Sequence, residues 1–233
     1  MPPLQQFLDL AAAIAPEHRY RTVYDTDLHV LMPGKEPIDA DTLEAFSRIA
    51  FTGRTVVDLG CNFGFFAFQA SRRGAAHVLG VDCEPRVLEG CELLKRHFGL
   101  PHVSFERHDL DDAASPLLAR RFDIAMLVEF IGKTFVAENR VASALAFLER
   151  LSNRELILSV QKIYWIRKEL GTTPRRMRER YAPRYVDGGD FLLLDYVRDF
   201  FAPRWRMEAL SPMAEGYEKP RKFLRFTPEH SHA

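Results

Sequence analysis

Thr55-Val56-Val57-Asp58-Leu59-Gly60-Cys61-Asn62-Phe63-Gly64-Phe65-Phe66 sets the frame for this 233-residue chain. Thr55, Val56 and Val57 are β-branched and read as the end of a buried strand. Gly60 and Gly64 bracket a tight turn, and Phe65 to Ser71 reads as a helix. Such a unit presents backbone N–H groups and a helix N-terminus at the carboxyl edge of a parallel sheet. Nucleotide-like ligands bind at that edge in open α/β folds.

Downstream, strand and helix signals alternate. His77 to Val81 reads as a strand, and Pro85 to Phe98 as a helix opened by proline and stopped by Gly99. Val103 to Arg107 is the next strand. Asp111 to Arg121 is a weak helix broken by Pro116. Ile124 to Val128 is a strand covered on both faces, as its continuous apolar run requires. Val136 to Leu151 reads as one helix and Leu156 to Val160 as the fifth strand. Gly188-Gly189 is a turn, after which Asp190 is expected to cap a helix through Phe200. Trp205 to Leu210 and Phe223 to Phe226, joined by Ser211 to Pro220, are expected to pair antiparallel.

Upstream of the run, Leu4 to Ala15 reads as an amphipathic helix. Tyr20 to Met32 reads as a hairpin around Asp25-Thr26-Asp27, and Asp41 suits a helix N-cap. Residues 1–53 are therefore expected to be an extension packed on a core domain of residues 54–233, with a basic insertion at 162–190. The extension carries eight acidic and four basic side chains.

Lysine plus arginine and aspartate plus glutamate both total 32, so net charge points to no polyanionic partner. At 47% hydrophobic the chain can bury one substantial core. Cys61, Cys83 and Cys91 have no C-x-x-C spacing and no histidine cluster. Neither a disulfide scaffold nor a metal site is expected, and reduced thiols fit a cytoplasmic protein. No apolar run approaches the ~20 residues that span a bilayer. The apolar patch Leu10 to Ala15 lacks the preceding basic residues of a secretory signal.

Asp58-Leu59-Gly60-Cys61-Asn62-Phe63-Gly64 resembles the first motif of the class I methyltransferases that use S-adenosylmethionine, with Asn62 where that family often has glycine. Asn tolerates the left-handed backbone better than most residues. Asp82, followed by Cys83, ends the next strand, where the family's ribose-binding acid stands. Glu106-Arg107-His108-Asp109-Leu110 resembles the element that meets adenine, and Phe122 to Glu129 the one that faces the methionine part and the methyl acceptor. The resemblance implies a Rossmann-like α/β fold. Its seven-stranded, mostly parallel sheet would end in an antiparallel strand pair, with a helix and hairpin added at the N-terminus. It implies donor contacts from Asp58, Gly60, Cys61, Asn62, Gly64, Asp82, Cys83, Asp109, Leu110 and Glu129. Glu129 is the first candidate for a general base and His108 the second. Each also has a structural reading: Glu129 as a donor contact, His108 as a packing residue, Asp109 as a cap, and Cys61 as a small core side chain.

Two rivals can be set against this resemblance. A dinucleotide oxidoreductase would show G-x-G-x-x-G, but Asn62 stands at the second glycine. A P-loop at Gly132-Lys133-Thr134 fails because Leu127 stands where its first glycine is required. For the acceptor, the sequence offers a basic stretch, Lys162 to Arg184, with eight basic side chains against two acidic ones. Arg175, Arg176 and Arg178, with Lys35, would suit a small anionic substrate, and the stretch reads equally as a solvated helix over packed aromatics. The hairpin, Pro33-Gly34-Lys35 and the Asn62 turn also resemble methyltransferase-like enzymes that modify the wobble uridine of tRNA, so an RNA partner is the alternative. A non-catalytic adaptor that keeps the fold is the third reading.

Overall fold

The computed structural model describes residues 1–14, 21–34, 37–211 and 221–229. Seven strands form the central sheet: β3 (Thr55–Leu59), β4 (His77–Asp82), β5 (Val103–Arg107), β6 (Phe122–Leu127), β7 (Ser152–Val160), β11 (Trp205–Ala209) and β12 (Lys222–Pro228). Their order is β11-β12-β7-β6-β3-β4-β5. β3, β4, β5, β6 and β7 pair in parallel, and β12 runs antiparallel to both β7 and β11. The chain moves outward from β3 through β4 to β5, then returns to lay β6 on the other side of β3. That reversal opens a crevice between the carboxyl ends of β3 and β6, the standard ligand position in such sheets.

Alternation along the strands distributes side chains to the two faces. Val57, Leu59, Leu79, Val81, Ala125 and Leu127 enter one core with the helices α6 (Val141–Leu151) and α8 (Leu193–Phe201). Val56, Val78, Ile124 and Met126 enter the other. That second core is covered by α1 (Pro3–Ala12), α2 (Ala40–Ser47), α3 (Phe65–Arg72) and α4 (Pro85–Phe98). Phe7 of α1 meets Phe63 edge-on at 5.3 Å, which ties the N-terminal helix to the turn after β3.

The expected helix at Leu4 to Ala15 runs Pro3–Ala12. The hairpin forms as β1 (Val23–Tyr24) and β2 (Val30–Met32). The Asp25 carboxylate accepts the N–H groups of Asp27 and His29 at its turn. Its expected start, Tyr20, lies outside the described residues, as does most of the Ser211 to Pro220 loop.

Local chemistry corrects four expectations. The α2 cap is Asp39, whose carboxylate accepts the Thr42 N–H at 2.7 Å, while Asp41 lies in the first turn. Val136 to Leu151 is two helices, α5 (Lys133–Ala137) and α6, because Asn139 takes a left-handed φ of 60° between them. Asp111 to Arg121 yields only a short 3₁₀ turn at Pro116–Ala119. Asp190 does not cap α8. It sits in β10 (Asp190–Phe191), between β8 (Tyr164–Trp165) and β9 (Val186–Asp187) in a three-stranded sheet.

Candidate active site

The turn after β3 is held from below. Asp58 is 1% exposed, and its carboxylate takes a hydrogen bond from the backbone of Ala67. Ala67 lies in the first turn of α3, whose N-cap Gly64 supplies no side-chain cap. Asp58 therefore does the capping from the neighbouring strand, answering one of the helix's orphan donors. Burial, with the Asp82 charge adding to it, pushes the Asp58 carboxyl up to about 7.

Gly60, Asn62 and Gly64 all adopt positive φ, at 67°, 47° and 77°. For Gly60 the requirement is double, because a Cβ there would lie 2.1 Å from the Phe130 ring. Asn62 takes the left-handed conformation, and its carbonyl accepts the Cys91 thiol at 3.0 Å. The Cys61 and Cys91 thiols pack with Leu88, and burial pushes both upward, so Cys61 is a packing residue rather than a nucleophile.

Two cavities meet at Gly60. The first is lined by Asp82, Cys83, His108, Asp109, Leu110 and Phe130, with Phe135 and Arg140 at its edge. Asp82 Oδ2 accepts the Asn62 N–H at 3.0 Å and Oδ1 accepts the Glu84 N–H at 3.1 Å. A carboxylate oxygen can accept two hydrogen bonds, so each keeps capacity for a sugar hydroxyl. One Asp109 oxygen accepts the Asp111 N–H at 2.9 Å, which fixes the turn beside buried Leu110. His108 is engaged through both ring nitrogens, Nε2 with Glu106 at 3.2 Å and Nδ1 with Ser115 at 3.0 Å. That arrangement suits a wall residue. The cavity fits an adenosine: a diol acceptor at Asp82 and apolar surface at Leu110, Phe130 and Phe135.

The second cavity encloses about 530 Å³, mouth included, and is lined by Arg21, Thr22, Tyr24, Ile38, Phe65 and Glu129 among others. Gly60, Cys61 and Asn62 form its floor. Glu129 ends the β6 edge in a left-handed conformation with φ 54°. Its N–H donates to Ser159 Oγ at 2.7 Å, and its carboxylate forms an ion pair with the Arg21 guanidinium. Arg221 steadies the next residues by donating to the carbonyls of Ile131 and Ser159. A strand, a left-handed residue and two distant side chains thus aim Glu129 at the crevice.

A model of the methyltransferase domain matches residues 51–180, from the residues before β3 through α7 (Pro174–Arg180). The chain belongs to the methyltransferase domain family. The seven-stranded, mostly parallel sheet, ending in an antiparallel strand pair, has the Rossmann-like form of methyltransferases. Among curated relatives, the ribosomal protein L11 methyltransferase of Vibrio cholerae is 42% identical over 55 residues. That match covers 24% of this chain and 19% of the relative, so the chain matches about a fifth of such relatives' length. Among solved structures, the N-terminal domain of EvdMO1, determined with SAH and D-fucose, has a TM-score of 0.62 at 15% identity. The likeness covers 97% of this chain and 95% of that one. Magnesium protoporphyrin IX methyltransferase from Synechocystis has a TM-score of 0.52 at 15% identity, over 81% of each chain. Both likenesses are of fold.

The structure brings Gly60, Cys61, Asn62, Asp82, Cys83, Asp109, Leu110 and Glu129 to the two cavities. Asp58 and Gly64 line neither. Their work is to shape the turn, since a Cβ on Gly64 would press on Phe68 and Phe105. Arg175, Arg176 and Arg178 also line neither cavity. Their helix α7 sits over α5, where Arg180 donates to the Ala137 carbonyl and the Tyr181 hydroxyl to that of Val136. Lys35 lies outside the described residues. The sequence reading missed Arg21, Tyr24, Phe130 and Phe135. Phe130 carried a signal, as the residue directly after a strand-end acid. Arg21 and Tyr24 lay inside a hairpin read only for its alternation.

Proposed function

We propose that the protein transfers a methyl group to an oxygen or nitrogen of a small, polar, anionic acceptor bound in the second cavity. The supporting observation is the state of two hydroxyls there. Thr22 Oγ1 accepts the Gly34 N–H at 3.0 Å, and the Tyr24 hydroxyl accepts the Ile38 N–H at 3.1 Å. With a lone pair engaged in each case, the hydroxyl proton is left to donate, which suits oxygen atoms carrying negative charge.

S-adenosylmethionine, when bound, supplies an electrophilic methyl carbon on its sulfonium. Asp82, Asp109 and Leu110 would hold its nucleoside part. The remaining work belongs to the chain. Phe65 and Ile38 exclude water, and Tyr24 and Thr22 orient the acceptor for in-line attack. Glu129 is the one carboxylate among the described residues lining this cavity, and so the first candidate to receive a proton from the acceptor.

The test is cell extract incubated with purified protein and methyl-labelled donor, then separated into small molecules, RNA and protein. Label should enter the small-molecule fraction and fall at least about tenfold with Tyr24→Phe. Label in protein alone would refute this reading.

A tRNA acceptor is the second reading, favoured by the exposed Arg175, Arg176 and Arg178 on α7. It requires tRNA binding that weakens steeply with salt and with neutralisation of those arginines.

A further inference from the structure

Among the described residues that line the second cavity, Arg21 is the one cation and Glu129 the one anion, and they pair with each other. Their side chains are only 17% and 6% exposed. An ion pair so placed stabilises a fold little compared with apolar packing. Its surroundings nevertheless hold it firmly. Gly34 packs on the Arg21–Thr22 backbone, where a Cβ would come within 2.3 Å of the Arg21 carbonyl carbon, and Ser159 fixes Glu129 from the opposite side. Around the pair the wall is largely apolar. The Tyr24 and Phe65 rings meet edge-on at 5.6 Å, and Ile38 and Phe66 extend the same lining.

We propose that Arg21 is the receptor for the acceptor's anionic group, and that the acceptor is a monocarboxylate with an apolar body and a neutral hydroxyl or amine, bound after the donor. The assignment rests on the acceptor lying in the second cavity. Arg21 exchanges the Glu129 carboxylate for that of the acceptor, an equally good bidentate partner for a guanidinium. Glu129, no longer held by the guanidinium, is then the group that takes the proton.

Charge balance sets both the class of acceptor and the order of binding. The Arg21–Glu129 pair is neutral, so an acceptor anion alone would bring an uncompensated negative charge into an enclosed site, which is costly. The sulfonium of the donor supplies the missing positive charge. Guanidinium, Glu129 carboxylate, acceptor carboxylate and sulfonium together are neutral, whereas a phosphate monoester dianion would leave a negative charge in excess. The balance persists through transfer. The acceptor's O–H or N–H proton passes to Glu129 as the bond to the methyl carbon forms and the sulfur–carbon bond breaks, its electron pair remaining on sulfur. What is left is a neutral Glu129, a neutral thioether, and the product carboxylate on the Arg21 guanidinium.

The test is calorimetric titration of benzoate, and of its neutral isostere benzamide, into the full chain saturated with one of two donor analogues. Sinefungin carries an ammonium in place of the methyl sulfonium, and S-adenosylhomocysteine has a neutral sulfur. Benzoate should bind the sinefungin complex at least about tenfold more tightly, and benzamide should not distinguish the two. Arg21→Gln should weaken benzoate about 10- to 100-fold and leave S-adenosylhomocysteine affinity within about threefold, with Arg21→Lys recovering part of the loss. Glu129→Gln removes the cavity's own anion, so benzoate should lose most of its preference for the sinefungin complex. Benzoate that binds both wild-type complexes equally, or neither, would overturn the assignment. So would an Arg21→Gln variant that loses S-adenosylhomocysteine as strongly as benzoate. In the labelled-extract experiment, label in phosphorylated small molecules would overturn it and leave the proposed function standing, whereas label in protein alone would remove the reading on which it rests.

Discussion

The two halves of the cleft are built from different kinds of sequence. In one half, Asp82 and Asp109 stand at or just beyond the ends of successive parallel strands, β4 and β5, each one short β-α step from the last. In the other half, Arg21 meets a residue 108 positions away, Ser159 reaches back 30, and Arg221 reaches back 90. The first half follows from local periodicity, since a strand end in a parallel sheet defines a place. The second follows from which arm the folded sheet recruits to cover its edge.

Substitutions can sharpen that contrast. Gly60→Ala should do the most damage, because it strikes where the halves meet. Its Cβ would collide with Phe130 and must adopt a left-handed φ that costs roughly 1–2 kcal/mol on its own. Binding of S-adenosylhomocysteine should fall by more than about 100-fold, and the melting temperature should drop. Next, Asp82→Ala should weaken S-adenosylhomocysteine and methylthioadenosine alike, about 10- to 100-fold by calorimetry. It removes the carboxylate proposed to meet both ribose hydroxyls, in the Asp82 half alone. Gly34→Ala should do the reverse. Its Cβ displaces the Arg21–Thr22 backbone, so turnover should drop roughly tenfold while methylthioadenosine affinity holds. If Gly34→Ala weakens methylthioadenosine as strongly, the two halves are not separable.

The smallest effect belongs to Asp58, which lines neither cavity. Its carboxyl is raised to about 7 from 3.8, so the folded state binds that proton more tightly than the unfolded chain. Stability from this group is therefore greatest at low pH, declines as pH rises from about 4 to about 7, and is level beyond. Asp58→Asn should remove that decline, which melting curves of both proteins at pH 5 and pH 8 would show. A steeper loss with pH in the variant would contradict the assignment.

Much of this fold is legible in the sequence because its strands are short and β-branched, and its helices carry punctuation at both ends. Pro85 and Gly99 bracket α4 to within a residue. The errors arise where one residue outweighs a pattern. Asn139 divides a span read as one helix by turning left-handed ahead of the apolar stripe that begins at Val141, and Asp39 captures the cap two positions before the equally suitable Asp41. In the site, the turn after β3 was legible because Gly60 and Asp82 are demanded by backbone geometry and strand position. The opposite wall was not, because nothing in Arg21-Thr22-Val23-Tyr24 signals which side chain will face Glu129. The basic stretch places Arg175, Arg176 and Arg178 on an exposed helix face away from both cavities, because a charge run reports solvent exposure before it reports a binding site.

The central claim is that one donor spans both cavities across Gly60, and the most direct measurement is a crystal structure with S-adenosylhomocysteine. The account predicts the ribose on Asp82, the adenine beside Leu110, and the homocysteine part past Gly60 toward Glu129. A ligand seated wholly within one cavity would contradict it.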